Sequence, residues 1–249
     1  MTAPAMHQRL MAFDARPVCD LFQTGGPDAR ATDLESNVER LPVSRANCST
    51  ARANATLVRA GDTRSIVHAL RRGWAMRVAH LSDGRRQILG FYVPGDLFDI
   101  ETLLVGGDLP ASFAVRALSE VEICSFPIET MRSIIHGSPE QRARFDEFAH
   151  RQLAYAYRRL TDIGQRTAQG RMAQLFLELF ERLSERGLVR DQAFEMPARQ
   201  EHLADALGMT PVHVNRTLRS LKDAGLIEQD RRETHIISLD GLRAVADEQ

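Results

Sequence analysis

The side chains best suited to chemistry gather towards the C-terminal end of the chain. His213, Asn215, Arg216, Arg219 and Lys222 lie in one short segment, interleaved with the apolar residues Val214, Leu218 and Leu221. That spacing puts the apolar set on one face of a helix and leaves the polar set on the others. An arginine guanidinium pairs bidentately with the O6/N7 edge of guanine, and an asparagine amide with N6/N7 of adenine. The chemistry on offer is readout of base edges rather than bond-making. No nucleophile–base pair or phosphate-cradling glycine loop points to catalysis, and the Gly106-Gly107 turn is not followed by a basic residue.

Two short helices are needed to present that face. Pro197 to Gly208 reads as a helix stopped by glycine, and Thr210 then caps a second helix that starts at Pro211 and runs to Ala224 before Gly225. Helices joined by so short a glycine-containing turn form a helix-turn-helix. Leu203, Ala204 and Leu207 are expected to pack on Val214 and Leu218. Leu226 to Ser238, turning at Asp230-Arg231-Arg232, reads as a β-hairpin wing. The candidate DNA contacts are Arg199, Gln200, Thr210, Val212, His213, Asn215, Arg216, Arg219, Lys222, Arg231 and Arg232.

Upstream, Glu140 to Ile163 contains no glycine or proline and predicts one long helix. Ala149, Leu153, Ala156, Leu160 and Ile163 follow a 4-3-4-3 spacing, the seam of a short coiled coil and hence a candidate dimerisation face. Phe145, Phe148 and Tyr155 form a second stripe, directed at the helix's own domain. Gly164 is expected to break the helix, and Thr167 to cap another that Gly187 ends. From Leu57 to Phe126, turn signals such as Asp83-Gly84 and Pro94-Gly95-Asp96 separate short apolar segments, the pattern of an antiparallel β-roll. The predicted class is α+β. A polar extension covers residues 1–55, with a short helix between Asp33 and Arg40. A sensor-like β-roll (56–138), a dimerisation helix (139–166) and a winged helix-turn-helix (167–249) follow.

The chain has 249 residues, is 43% hydrophobic and carries a net charge of -1, which excludes a polycation but not a local basic face. Lys222 is the only lysine among 32 basic residues, so composition cannot say which arginines matter. Cys19, Cys48 and Cys124 are odd in number and widely spaced, which predicts no disulfide framework. No apolar run approaches the roughly 18 residues of a membrane span, and the first residues lack a signal-type apolar core. A cytoplasmic protein without membrane contact is expected. The histidines form no closely spaced pair, so no metal site is predicted. A cupin-like β-barrel metalloenzyme with a regulatory tail, the rival reading, needs clustered ligands where only His68 and His80 lie.

Gly84 to Phe91 with Pro94 to Phe98, and Leu207 to Leu218, resemble the cyclic-AMP receptor protein/FNR (Crp/Fnr) family of bacterial transcription regulators. The resemblance spans about residues 55 to 240. It implies a cyclic-nucleotide-binding-like β-roll (a jelly roll), a homodimer through the long helix, and a two-fold symmetric site on double-stranded DNA. RNA polymerase is a further candidate partner. The resemblance also marks departures. The Arg-Ser pair that holds the nucleotide phosphate in cyclic-AMP-binding members falls at Ala111-Ser112, and the adenine-contacting Thr-Ser at Ala156-Tyr157. Glu101, Ser112 and Tyr157 are left as a candidate effector pocket, with cyclic AMP disfavoured. Cys124 falls where FNR-type sensors place one iron–sulfur ligand, but the tight N-terminal cluster is lacking, so a four-cysteine cluster is disfavoured too. Cys124 stays a candidate redox thiol, a haem- or redox-responsive sensor is a variant within the family, and the cofactor is unknown. Val212 stands where many members carry a glutamate that reads cytosine, which implies an altered half-site.

Overall fold

A computed structural model describes residues 48–63, 65–105 and 109–248. Cys19, the expected helix between Asp33 and Arg40, and the Gly106-Gly107-Asp108 turn lie outside them. The first layer pair is built from β1 (Cys48–Ala51), β2 (Thr56–Val58), β3 (Ile66–Arg72), β4 (Ala75–His80), β5 (Arg86–Tyr92), β6 (Leu97–Phe98), β7 (Ala114–Ala117) and β8 (Val121–Pro127), with α1 (Glu101–Val105) after β6. One sheet has the order β1-β8-β3-β6 and the other β2-β7-β4-β5, all pairs antiparallel. The Asp83-Gly84 turn joins β4 to β5, with Gly84 at φ 84 and the Asp83 carboxylate accepting from the Arg85 N–H at 3.0 Å. At Gly73, φ is 80 and a side chain would collide with the Glu120 carbonyl, so only glycine fits.

The helices α2 (Ile128–Ile135) and α3 (Pro139–Gln165) follow. Ser138 caps α3 by accepting from the Gln141 N–H, with Pro139 as its first residue. Phe145 and Phe148 on α3 are buried with Val67, Leu97, Phe126 and Met131, so one stripe of this helix does serve the β-roll. Gly164 does not break it: helix continues to Gln165, since one glycine costs a helix only about 1 kcal/mol against alanine. Thr167 caps α4 (Ala168–Ser184) through the Gly170 N–H. The C-terminal part adds β9 (Ala193–Glu195), α5 (Gln200–Leu207), α6 (Pro211–Asp223), β10 (Ile227–Asp230), β11 (Glu233–Ile236) and α7 (Leu239–Asp247). The expected wing is the β10–β11 hairpin. It is extended by β9 in the order β10-β11-β9, a strand too short to show in periodicity.

Two expectations are corrected. Residues 48–51 belong to the β-roll rather than to a polar extension, because β1 pairs along its length with the buried strand β8. Within that pairing Cys48 sits directly opposite Cys124, and the two form a disulfide across 76 residues of sequence. Counting cysteines could not reveal a register.

The hydrophobic core does not respect the boundary between β-roll and helical domain. Trp74, Met76, Val78, Ile88, Phe91 and Val93 belong to the same buried cluster as Met172, Phe176, Leu203, Leu207, Val214 and Leu218. The outer face of β4 and β5 is thus the floor on which the helix-turn-helix sits.

Candidate nucleic-acid interface

Thr210 accepts from the His213 N–H and starts α6, while Gly208, at φ 64, ends α5 in the left-handed conformation. Val214, Thr217, Leu218 and Leu221 are buried, which fixes the rotation of α6 about its axis. Asn215, Arg216, Arg219 and Lys222 consequently face solvent, and Val212 is 81% exposed beside them. Arg216, Arg219 and Lys222 make no ion pair among the described residues. A row of unpaired cations on an exposed helix face is available to an anionic polymer. His213 is half-buried and Thr210 exposed at the start of the same helix.

Arg199 and Gln200 are exposed at the start of α5, where Arg199 lies 4.0 Å from Glu201. His202 Nδ1 accepts from the Arg199 N–H at 3.0 Å, and burial lowers its pKa, so the ring holds the helix start as a neutral acceptor. Arg231 and Arg232 are exposed at the hairpin turn, with Arg231 at φ 50. All eleven sequence-predicted contact residues thus lie on α5 or α6, at their N-caps Arg199 and Thr210, or at the wing.

What fastens this module was missed. Asp96, 1% exposed in the turn before β6, receives Arg182 of α4 at 2.5 Å and Arg186 at 2.6 Å. It also accepts from the Val93 N–H at 2.7 Å. Burial opposes its ionisation, but Arg182 and Arg186 outweigh it and hold the carboxyl below the usual carboxylate range. Glu178 pairs with both Arg182 and Arg159 of α3, so the cluster ties together β-roll, long helix and DNA-facing domain. The Tyr155 ring lies 5.5 Å from the Arg182 guanidinium. A second tie runs from Arg86 on β5 to Asp205 on α5 at 2.5 Å. The Pro94-Gly95-Asp96 motif signals a turn, and nothing local signals its remote arginines.

The candidate dimerisation and effector residues fall differently. Leu153, Ala156, Leu160 and Ile163 are exposed on α3, Leu160 by 71%, and Ala149 is half-buried. Glu101 begins α1 and Ser112 is exposed. Tyr157 does not join them: it is 62% exposed on α3, and no hydrogen bond or ring contact links it to either among the described residues. Cys124 is oxidised to the disulfide, and a disulfide sulfur is not the thiolate an iron–sulfur cluster requires. Ala111 offers no charge to a cyclic phosphate, so the described residues do not fit the family's nucleotide clamp. Among the described residues no cluster of three or more metal-ligating side chains occurs. Among the described residues no helix is long and apolar enough to cross a membrane.

Comparison with known proteins bears on both halves. Residues 49–138 match the cyclic nucleotide-binding domain family and residues 170–245 the Crp-like helix-turn-helix domain family. The chain is 30% identical to the transcriptional activatory protein AadR of Rhodopseudomonas palustris, over 72% of this chain and 69% of that one. It is 29% identical to the transcriptional activator protein FnrA of Stutzerimonas stutzeri, over 77% of each. Among solved structures, FixK2 from Bradyrhizobium japonicum superposes with a TM-score of 0.71 at 21% identity, covering 81% of this chain and 98% of that one. A mutant of CooA from Carboxydothermus hydrogenoformans gives 0.65 at 18%, covering 90% and 99%.

Proposed function

The chain belongs to the Crp/Fnr family of DNA-binding transcription regulators, and from that premise we propose that it acts as a cytoplasmic homodimer reading a two-fold symmetric DNA site. The observation that carries this reading is the α6 face, where Asn215, Arg216, Arg219 and Lys222 are exposed and the cations form no ion pair among the described residues. Arg216 and Asn215 contact base edges, Arg219 and Lys222 the phosphates, and Arg231 and Arg232 of the wing the flanking backbone. Val212 cannot accept from cytosine but can touch a thymine methyl, so the half-site departs there from the family's common one. The exposed Leu153, Ala156, Leu160 and Ile163 stripe of α3 pairs with its copy in a second chain. RNA polymerase is the partner through which binding becomes regulation.

The β-roll acts as the sensor. A change at its ligand site passes to the helix-turn-helix through the shared core and the two ties Asp96–Arg182/Arg186 and Arg86–Asp205. Cyclic AMP is not the signal; submicromolar binding by calorimetry would overturn that. The DNA reading is tested by footprinting the purified protein on a duplex selected from a random pool. Two protected patches about 34–36 Å apart, one helical turn, are expected. Leu160→Glu is expected to halve the mass in light scattering and abolish the paired footprint. A single patch, or a monomeric wild type, defeats the proposal.

A further inference from the structure

Arg77 is a cation in an unusual place. It lies on β4 in the same alternation as the buried Ala75, so its side chain stands on the inner face of the β-roll with Tyr92, Val115 and Ala117. Its Nε donates to the Tyr92 hydroxyl at 2.6 Å, and its guanidinium lies 5.0 Å from the Tyr92 ring centroid and 6.0 Å from that of Phe113. A guanidinium cannot shed its charge, so it needs a counter-charge or water. Tyr92 does not supply one: burial pushes its phenol up to about 12, leaving it neutral. No carboxylate among the described residues is in ion-pair contact with Arg77, and neither Nη makes a hydrogen bond.

Next to this group there is room. Gly90 pairs directly with Arg77 across β4 and β5 and so shares its face. A side-chain carbon placed at Gly90 meets nothing within 4 Å, although the backbone there would accept one. The site therefore has a cationic fork, an aromatic wall and open space, and Ala111, where the family's phosphate clamp would be, packs against the same inner cluster without supplying a charge.

We propose that the interior of the β-roll binds a small organic monocarboxylate, its carboxylate on the Nη fork of Arg77 and its apolar body in the space beside Gly90 and Phe113. A guanidinium fork matches a carboxylate bidentately. The ligand carries a single carboxylate because the site offers a single guanidinium fork. The inference rests on the reading of the β-roll as sensor, but not on DNA recognition.

Calorimetry with benzoate, and with neutral benzamide as its isosteric control, tests the site in the full-length protein without DNA. Benzoate is expected to bind and benzamide to bind at least tenfold more weakly. Arg77→Met and, independently, Gly90→Val are each expected to weaken benzoate at least tenfold. Gly90→Val leaves the arginine in place and fills the space, so it decides the matter if Arg77→Met fails to fold. Absence of benzoate binding, equal binding of benzamide, or a folded Gly90→Val with wild-type affinity overturns the proposal. Each of these results leaves a DNA footprint measured separately intact.

Discussion

Two groups of arginines occupy opposite environments in this molecule. Arg182 and Arg186 are buried and share the carboxylate of Asp96 between domains. Arg216 and Arg219 are exposed on α6 and pair with nothing among the described residues. The same side chain is a fastener in one place and a reader in the other, and what separates the roles is the presence of a counter-charge. Leaving a buried guanidinium without a counter-charge is costly, and in the first group that cost is avoided by matching inside the fold. An exposed one keeps its hydration and can exchange it for phosphate or base. Loss of a partner should therefore cost stability in the first group, and loss of the arginine should cost only DNA affinity in the second.

The largest expected effect follows from removing the shared anion. Asp96→Ala takes the shared anion from two buried cations, leaving Arg182 with Glu178 alone and Arg186 with no carboxylate, and is expected to lower unfolding stability by about 3–5 kcal/mol in urea. A loss below about 0.5 kcal/mol, the level of a plain surface change, would mean that the cluster does not fasten the domains. The pH signature has a definite sign. Because the folded-state pKa of Asp96 is depressed, its contribution is fully present above the ordinary carboxylate pKa and is lost as pH falls through the folded value. Wild type and Asp96→Ala should converge in stability on strong acidification, and a gap that widens in acid would contradict the assignment.

Next in size is the Cys48–Cys124 bond, which closes β1 onto β8. Cys48→Ser is expected to cost about 2–4 kcal/mol under oxidising conditions. Dithiothreitol should lower the unfolding midpoint of the wild type and leave the mutant unmoved. Equal sensitivity of both would show that the two cysteines are not joined in solution.

The contrast also explains what could be read in the chain beforehand. Local devices were legible: Thr210 and Pro211 start α6, Gly208 ends α5, Asp83-Gly84 turns β4 into β5, and the spacing of Val214, Leu218 and Leu221 fixes which side of α6 faces outward. Each of these acts within one turn or one hairpin. The fasteners act across 86 and 90 residues, between Asp96 and Arg182 of α4 and Arg186 just beyond it, where no periodicity reaches. The disulfide depends on strand register, and Arg77 and Gly90 become neighbours only through the β4–β5 pairing. The resemblance puts Tyr157 with Glu101 and Ser112, whereas its place on α3 leaves it exposed and apart from them. The reading face was thus visible as pattern, whereas its coupling to the β-roll is a property of tertiary contacts.

The smallest free-energy change tests the central claim, that α6 reads DNA, most directly. Fluorescence anisotropy on a selected duplex, run beside thermal unfolding, compares the wild type with Arg216→Ala. Affinity is expected to fall by about 1–3 kcal/mol per half-site, while stability stays within about 0.5 kcal/mol. Wild-type affinity in a folded Arg216→Ala protein would contradict the account.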